Sequence, residues 1–331
     1  MEELQTDVKG QKTGEVKRRS KYRGLMSNPT ARTVLSVIGF VVILCLFTAL
    51  TGGRIIEFSN IKLLLSETYV LLVASTGVFL LMTMGCIDFS QGSILGVSSI
   101  VICYLSNYNI VLAILGGMAT GAAIGAINGF FNVKRKIPSF IVTICTMFLF
   151  RGVCAFLTTN SPVYAGGDIF NYNTVPIKLT ITIILILVVF LIFHFTKLGR
   201  NLKAIGSGET ASRFAGIKVD KTKWIIFILA GLVTGLAAFL NVIKVGSVTS
   251  TGGNMLETEI MIALVLGGMP ISGGALVRFS NIILGVFTYR VLSTGLNMIG
   301  LTTEMQQLIE GVVFIIVVAI FSDRNSTQVV K

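Results

Sequence analysis

Apolar runs of near membrane-spanning length recur along this chain, and they constrain its fold more than any other feature. The stretch from Ile177 to Phe193 is apolar but for Lys178, Thr180 and Thr182. It approaches the roughly 20 residues that a helix needs to cross a hydrocarbon core. Read with runs of about 15 to 25 residues, the chain offers spans at 33–51, 61–84, 92–106, 110–131, 138–159, 176–196, 223–245, 256–269, 279–298 and 305–321. Backbone amides in hydrocarbon must be satisfied within their own segment, so such spans are helices. The fold class that follows is all-α: a polytopic membrane protein with about ten transmembrane helices. Composition excludes the soluble alternative, because charged residues are 13% of the chain against about 25% in soluble domains.

Two spans look irregular. The third follows the polar string Asp88, Ser90, Gln91, Gly92, Ser93, and the eighth follows Ser247 to Asn254. Backbone leaves helical geometry at membrane depth only where protein or a water-filled cavity satisfies it. Broken or re-entrant helices are therefore expected there, the alternative being ordinary loops at the interface. Asp88, Ser90, Gln91, Ser93, Asn128, Glu257 and Glu259 are the candidate substrate path. An acid in hydrocarbon is costly unless it faces a cavity or a partner. Glu257 and Glu259, two residues apart, cannot share one helix face. Arg151 is expected to snorkel from the outer half of its helix, and Lys244 and His194 to sit at helix ends in the interface. In the fourth span Gly117, Gly121, Gly125 and Gly129 recur every four residues, a ladder that lets a neighbouring backbone approach closely.

The net charge of +12 is topological and implies no nucleic-acid partner. Lys17, Arg18, Arg19, Lys21, Arg23 and Arg32 crowd the start, Lys134, Arg135 and Lys136 follow the fourth span, and Lys197, Arg200, Lys203, Arg213, Lys218, Lys221 and Lys223 follow the sixth. Short basic loops stay in the cytosol. Strict alternation then puts all three clusters, Arg278 and both termini inside, and Asn160 to Val175 outside. The expected organisation is a basic cytosolic tail (1–32), a transmembrane domain (33–321) carrying a cytosolic loop (197–222), and a cytosolic C-terminal tail (322–331). The tail carries no early apolar stretch of a cleavable secretory signal.

Nothing in the chain reads as a site for covalent chemistry. There is no GxxxxGK[ST] phosphate loop, no HExxH and a single histidine. The five cysteines have neither metal-site spacing nor an even disulfide framework. No enzyme activity, catalytic residue, cofactor or metal is expected, so transport energy comes from elsewhere. Two classes lead on these grounds, with a membrane-embedded enzyme a distant third: a secondary transporter coupled to an ion through a buried carboxylate such as Asp88 or Glu257, and a permease driven by a separate ATPase subunit. The segment Leu198 to Val219 bears on the choice. It is basic and holds a short helix from Glu209 to Phe214 bracketed by Gly208 and Gly216, glycines suited to sharp helix ends. The alternative is a plain solvated loop.

Four stretches, in order and at matching spacing, resemble the ribose-type (simple-sugar) permeases of bacterial ATP-binding-cassette importers. They are CIDFSQGSILG (Cys86 to Gly96), IPSFIVTICTMFLFRG (Ile137 to Gly152), GRNLKAIGSGETASRFAGIKV (Gly199 to Val219) and LETEIMIALVLGGMPISGG (Leu256 to Gly274). Departures include Cys86, Phe89 and Gln91 where Gly, Leu and Val are usual, and Met269 and Pro270 where Thr and Ser are usual. The resemblance implies a multi-pass protein of the bacterial cell membrane, working as the permease for a monosaccharide or related sugar. It equally accommodates a nucleoside or a sugar-like signalling molecule. The implied partners are a second permease subunit, a pair of ATPase subunits inside, an extracytoplasmic sugar-binding protein outside, and membrane lipid. It assigns ATPase coupling to Gly199, Arg200, Glu209, Arg213, Gly216 and Ile217.

Overall fold

A computed structural model describes residues 29–321. The basic residues before position 29 and the C-terminal segment after 321 lie outside it. Ten helices overlap the ten segments expected as spans: α1 (Pro29–Leu50), α2 (Phe58–Thr83), α3 (Gln91–Ser106), α4 (Ile110–Lys134), α5 (Ser139–Leu157), α6 (Val175–Phe195), α9 (Val219–Val245), α10 (Leu256–Leu266), α11 (Ser280–Met298) and α12 (Thr303–Phe321). Between α6 and α9 lie two shorter ones, α7 (Lys197–Ser207) and α8 (Glu209–Phe214). The only pairing of strands among the described residues is the two-residue ladder Val163–Val248 and Tyr164–Ser247, which ties the α5–α6 connection to the segment after α9. Six helices, α1, α2, α4, α5, α6 and α9, are long and apolar enough to cross a membrane, and α3 is a shorter apolar helix. The protein is an all-α polytopic membrane protein.

The centre is built by α2, α3, α4 and α9, with α10 and α11 continuing it. From Leu71 to Thr83 every residue of α2 is buried, as fits a helix that is apolar all round. The closest pair is α4 with α9. Its contact is backbone on backbone, because a Cβ built at Gly117, Gly121 or Gly125 would collide with the carbonyls or main chain of Gly235, Gly231 and Phe227 or with Ile102. The ladder read in the sequence is thus met by a second one, Gly231 and Gly235, on α9. Outside this centre, α1, α6 and α12 present exposed apolar side chains such as Val42, Ile184 and Ile315.

Both irregular spans are short, continuous helices, Gln91–Ser106 and Leu256–Leu266, each entered through a non-helical segment. Between α2 and α3 the residues from Met84 to Ser90 are largely buried yet not helical. Their freed amides are taken by α5: Ile87 N donates to Ser139 Oγ and Phe89 N to Thr143 Oγ1, both at 3.1 Å. The span expected at 256–269 is only the 11-residue α10. It enters through Met255, whose φ is 67°, and leaves through Gly268. The loop beyond it docks on the end of α2, where Gly274 N donates to Thr83 O at 2.9 Å, and on the end of α7, where Ala275 N donates to Ser207 Oγ at 3.0 Å.

The region read as a loop at 197–222 is mostly helical. α7 is an amphipathic helix with Gly199, Leu202 and Ile205 buried, and Thr196 caps it by accepting from Leu198 N at 3.1 Å.

Candidate functional site

Five of the seven path candidates meet at the start of α3. Asp88 is 1% exposed. Its Oδ1 accepts from Ser90 N at 2.8 Å and Ser90 Oγ at 2.6 Å, and its Oδ2 accepts from Gln91 Nε2 at 2.7 Å. An acid at this place satisfies a helix start that has left its hydrogen-bonding ladder. Asn128 of α4 donates to Ser90 Oγ at 2.8 Å, Thr234 of α9 hydrogen-bonds Gln91 Oε1, and Ser93 Oγ returns to Ser90 O at 2.7 Å. The polar string is therefore the non-helical entry to α3, held by α4, α5 and α9. Asn128 Oδ1 stays buried without a protein partner.

Glu257 opens α10 and is buried. Its Oε1 lies 2.5 Å from Arg151 Nη2, and Arg151 Nη1 hydrogen-bonds Asn254 Oδ1. Arg151 does not snorkel freely outward as its place in α5 implied: it reaches across to α10, and its side chain is 30% exposed. Gly92 and Gly96 let the start of α3 lie against Gly252 and Gly253, since a Cβ at either would strike those carbonyls. The start of α3 thus abuts the segment that leads into α10, with the Arg151–Glu257 pair beside the contact.

Glu259 points elsewhere, toward Arg290 of α11 at 3.4 Å, in keeping with its two-residue offset from Glu257. Nearby, Tyr289 Oη donates to Glu310 Oε2 at 3.2 Å. Lys244, read as an interface residue, pairs with Glu67 of α2, and His194 stacks on Phe190. Among the described residues no group of three His, Cys, Asp or Glu could hold a metal ion.

The coupling candidates form a second, separate cluster. α8 spans Glu209–Phe214 as the glycines imply, with Gly208 at its N-cap and Gly216 at φ 82°. Arg213 bridges Glu209 at 2.9 Å and Asp220, and Lys223 reaches Glu209 at 2.6 Å. Burial alone would raise the Glu209 carboxyl, but the hydrogen bonds and charges of Lys223 and Arg213 outweigh it and hold the group below its usual range. These bridges fix α8 on the start of α9 while leaving Phe214 89% exposed. Gly199 is buried against Phe193, whose backbone a Cβ would strike. Arg200 is exposed and Ile217 half-buried.

Residues 60–318 match the family model described as branched-chain amino acid transport system / permease component, a transport subunit and not an enzyme. The ribose import permease protein of Escherichia coli (strain K12) is 31% identical over 297 residues, covering 86% of this chain and 92% of that protein. The ribose import permease protein of Bacillus subtilis (strain 168) is 31% identical, covering 86% and 91%. The D-allose transport system permease protein of Escherichia coli (strain K12) is 26% identical, covering 84% and 88%. No solved structure matches. With the family model spanning most of the sequence, and relatives at 31% identity covering most of both chains, this chain belongs to that family of transport permeases.

Proposed function

We propose that this protein is the membrane permease of an ATP-driven importer for a monosaccharide. The observation that carries the reading is the end-to-end similarity to permeases named for ribose and allose import or transport. In this reading all ten spans lie in the membrane, with α3 and α10 as the short members. The termini, Lys134 to Lys136 and α7–α8 face the cytosol, as the basic clusters favour. Two copies form the pore, an ATPase pair docks inside, and a sugar-binding protein docks outside.

α8 is the coupling element. It is short, bridged at both ends to α9, and carries Phe214 exposed as a knob for the ATPase. α9 runs from this corner to Thr234 at the entry to α3, so a push on α8 reaches α3 through one rigid rod. Alternating access then follows from repacking where α3 meets the segment leading into α10. Asp88, Ser90, Gln91, Ser93 and Asn128 hold the entry to α3 and give sugar hydroxyls weak polar contacts, while Arg151, Asn254 and Glu257 form the polar mouth. Glu259 stands off this line toward α11 and contributes least.

Proteoliposomes supply the test. The chain reconstituted with its ATPase and binding protein should accumulate ribose, allose or another monosaccharide only with ATP and binding protein present. Accumulation by the chain alone, under a proton or sodium gradient, overturns the proposal.

A further inference from the structure

Five cations gather at one end of the α4–α9 pair. Lys134, Arg135 and Lys136 close α4, and Lys218 and Lys221 open α9. The two helices are antiparallel neighbours, and Gly129 lies against Trp224. The residues that follow Gly129 therefore meet the start of α9, and Lys136 comes within electrostatic reach of Asp220. All five are exposed, and none takes part in an ion pair among the described residues. The acid between them, Asp220, is already engaged by both terminal nitrogens of Arg213. An open cleft of about 410 Å³ lies beside them, lined by Arg213, Ile217, Lys218, Val219, Asp220 and Lys221.

Below the cations the surface turns apolar and aromatic. Phe130 and Phe131 lie one helical turn from Lys134 and Arg135, Ile127 one turn further, and Trp224 one turn from Lys221; all four are exposed. Trp224 Nε1 donates to Ala126 O at 3.2 Å, which fixes the indole at this height. Lys136 itself sits at φ 56°, a left-handed conformation that a lysine adopts only at a cost. Cations over exposed aromatic and aliphatic side chains match an anionic head group above its acyl chains.

We propose that this corner docks an anionic phospholipid of the cytosolic leaflet. Its phosphate is held by Lys134, Arg135, Lys136, Lys218 and Lys221, and its chains lie along Ile127, Phe130, Phe131 and Trp224. The leaflet rests on the cytosolic assignment above. A symmetric bilayer tests the lipid site whichever way the chain is oriented, so the two can fail separately.

Trp224 is the only tryptophan, so its fluorescence reports this corner alone. The full chain is reconstituted in mixed bilayers where either phosphatidylglycerol or phosphatidylcholine carries brominated acyl chains. Phosphatidylglycerol should quench at about fivefold lower mole fraction, given the attraction each basic residue exerts on anionic lipid. The preference should shrink with salt and vanish when the five cations are replaced by glutamine. Quenching by brominated phosphatidylcholine should persist in that variant, showing the indole still facing lipid in a folded protein. Equal quenching of the wild-type chain by both lipids overturns the proposal, as does a preference that survives in the glutamine variant. Loss of the preference on adding soluble glycerol phosphate would identify a free phosphate site instead. A patch with no lipid preference whose neutralisation releases the ATPase would be a protein-docking surface.

Discussion

Glu257 is 5% exposed, and its charge is tolerable there because Arg151 meets it from a helix 106 residues earlier. Breaking such a pair by removing one partner costs more than the pair contributes, since the other charge is stranded. Arg151→Ala should therefore lower stability by about 2 kcal/mol, a value reduced from that of a fully buried pair because Arg151 is partly exposed. Adding Glu257→Gln should recover much of the loss by removing the stranded charge. Thermal unfolding of the single and double variants in detergent measures both, and a double variant less stable than Arg151→Ala would contradict the stranded-charge account. This pair was not legible in the sequence. Each residue was visible as an ionisable group in an apolar span, but no local spacing connects positions so far apart. The Asp88 cluster was more legible, because Asp88, Ser90, Gln91 and Ser93 are near neighbours whose polarity stands out against α2 and α3. Thr234, which bonds Gln91, and Thr143, which accepts from the neighbouring Phe89 N, were invisible, since single threonines in apolar helices carry no signal.

Helices read well from the sequence wherever hydrophobicity was continuous, and poorly where burial was one-sided. The helix ends of α2, α4 and α6 lie within a few residues of the expected spans. α7 was missed because its apolar content is a narrow stripe, Leu202 and Ile205, interrupted by basic residues and Gly206. α8 was found because Gly208 and Gly216 bracket it, and Gly216 offers a clean experiment. Its φ is 82°, and a Cβ there would meet nothing within 4 Å. Any substitution cost is then conformational, about 1–2 kcal/mol for an ordinary side chain and less for asparagine. Gly216→Val should loosen the α8–α9 corner, lowering sugar moved per ATP hydrolysed severalfold, while Gly216→Asn stays near wild type. Transport and ATP hydrolysis measured together in proteoliposomes decide it; equal behaviour of the two variants would remove α8 from the coupling route.

At the scale of the whole molecule, the charge clusters and the helix order imply one orientation. A chain with Cys45, Cys86, Cys103, Cys145 and Cys154 replaced should accept membrane-impermeant thiol reagent from outside intact cells at Tyr108→Cys, in the α3–α4 connection. Thr210→Cys, on α8, should label only after permeabilisation. Both positions are exposed, so silence from outside at 108 with labelling at 210 would invert the topology. The facing glycines of α4 and α9 bear on how the molecule is made. During synthesis α4 is complete about 100 residues before the end of α9 emerges, which at ribosomal speeds is an interval on the order of 5–20 s. Throughout it the glycine face waits, shielded by lipid or by insertion machinery. A larger side chain at Gly121 would harm the nascent chain at that moment of closure, so its first symptom would be degraded newborn protein, with slow sugar uptake only in the copies that escape.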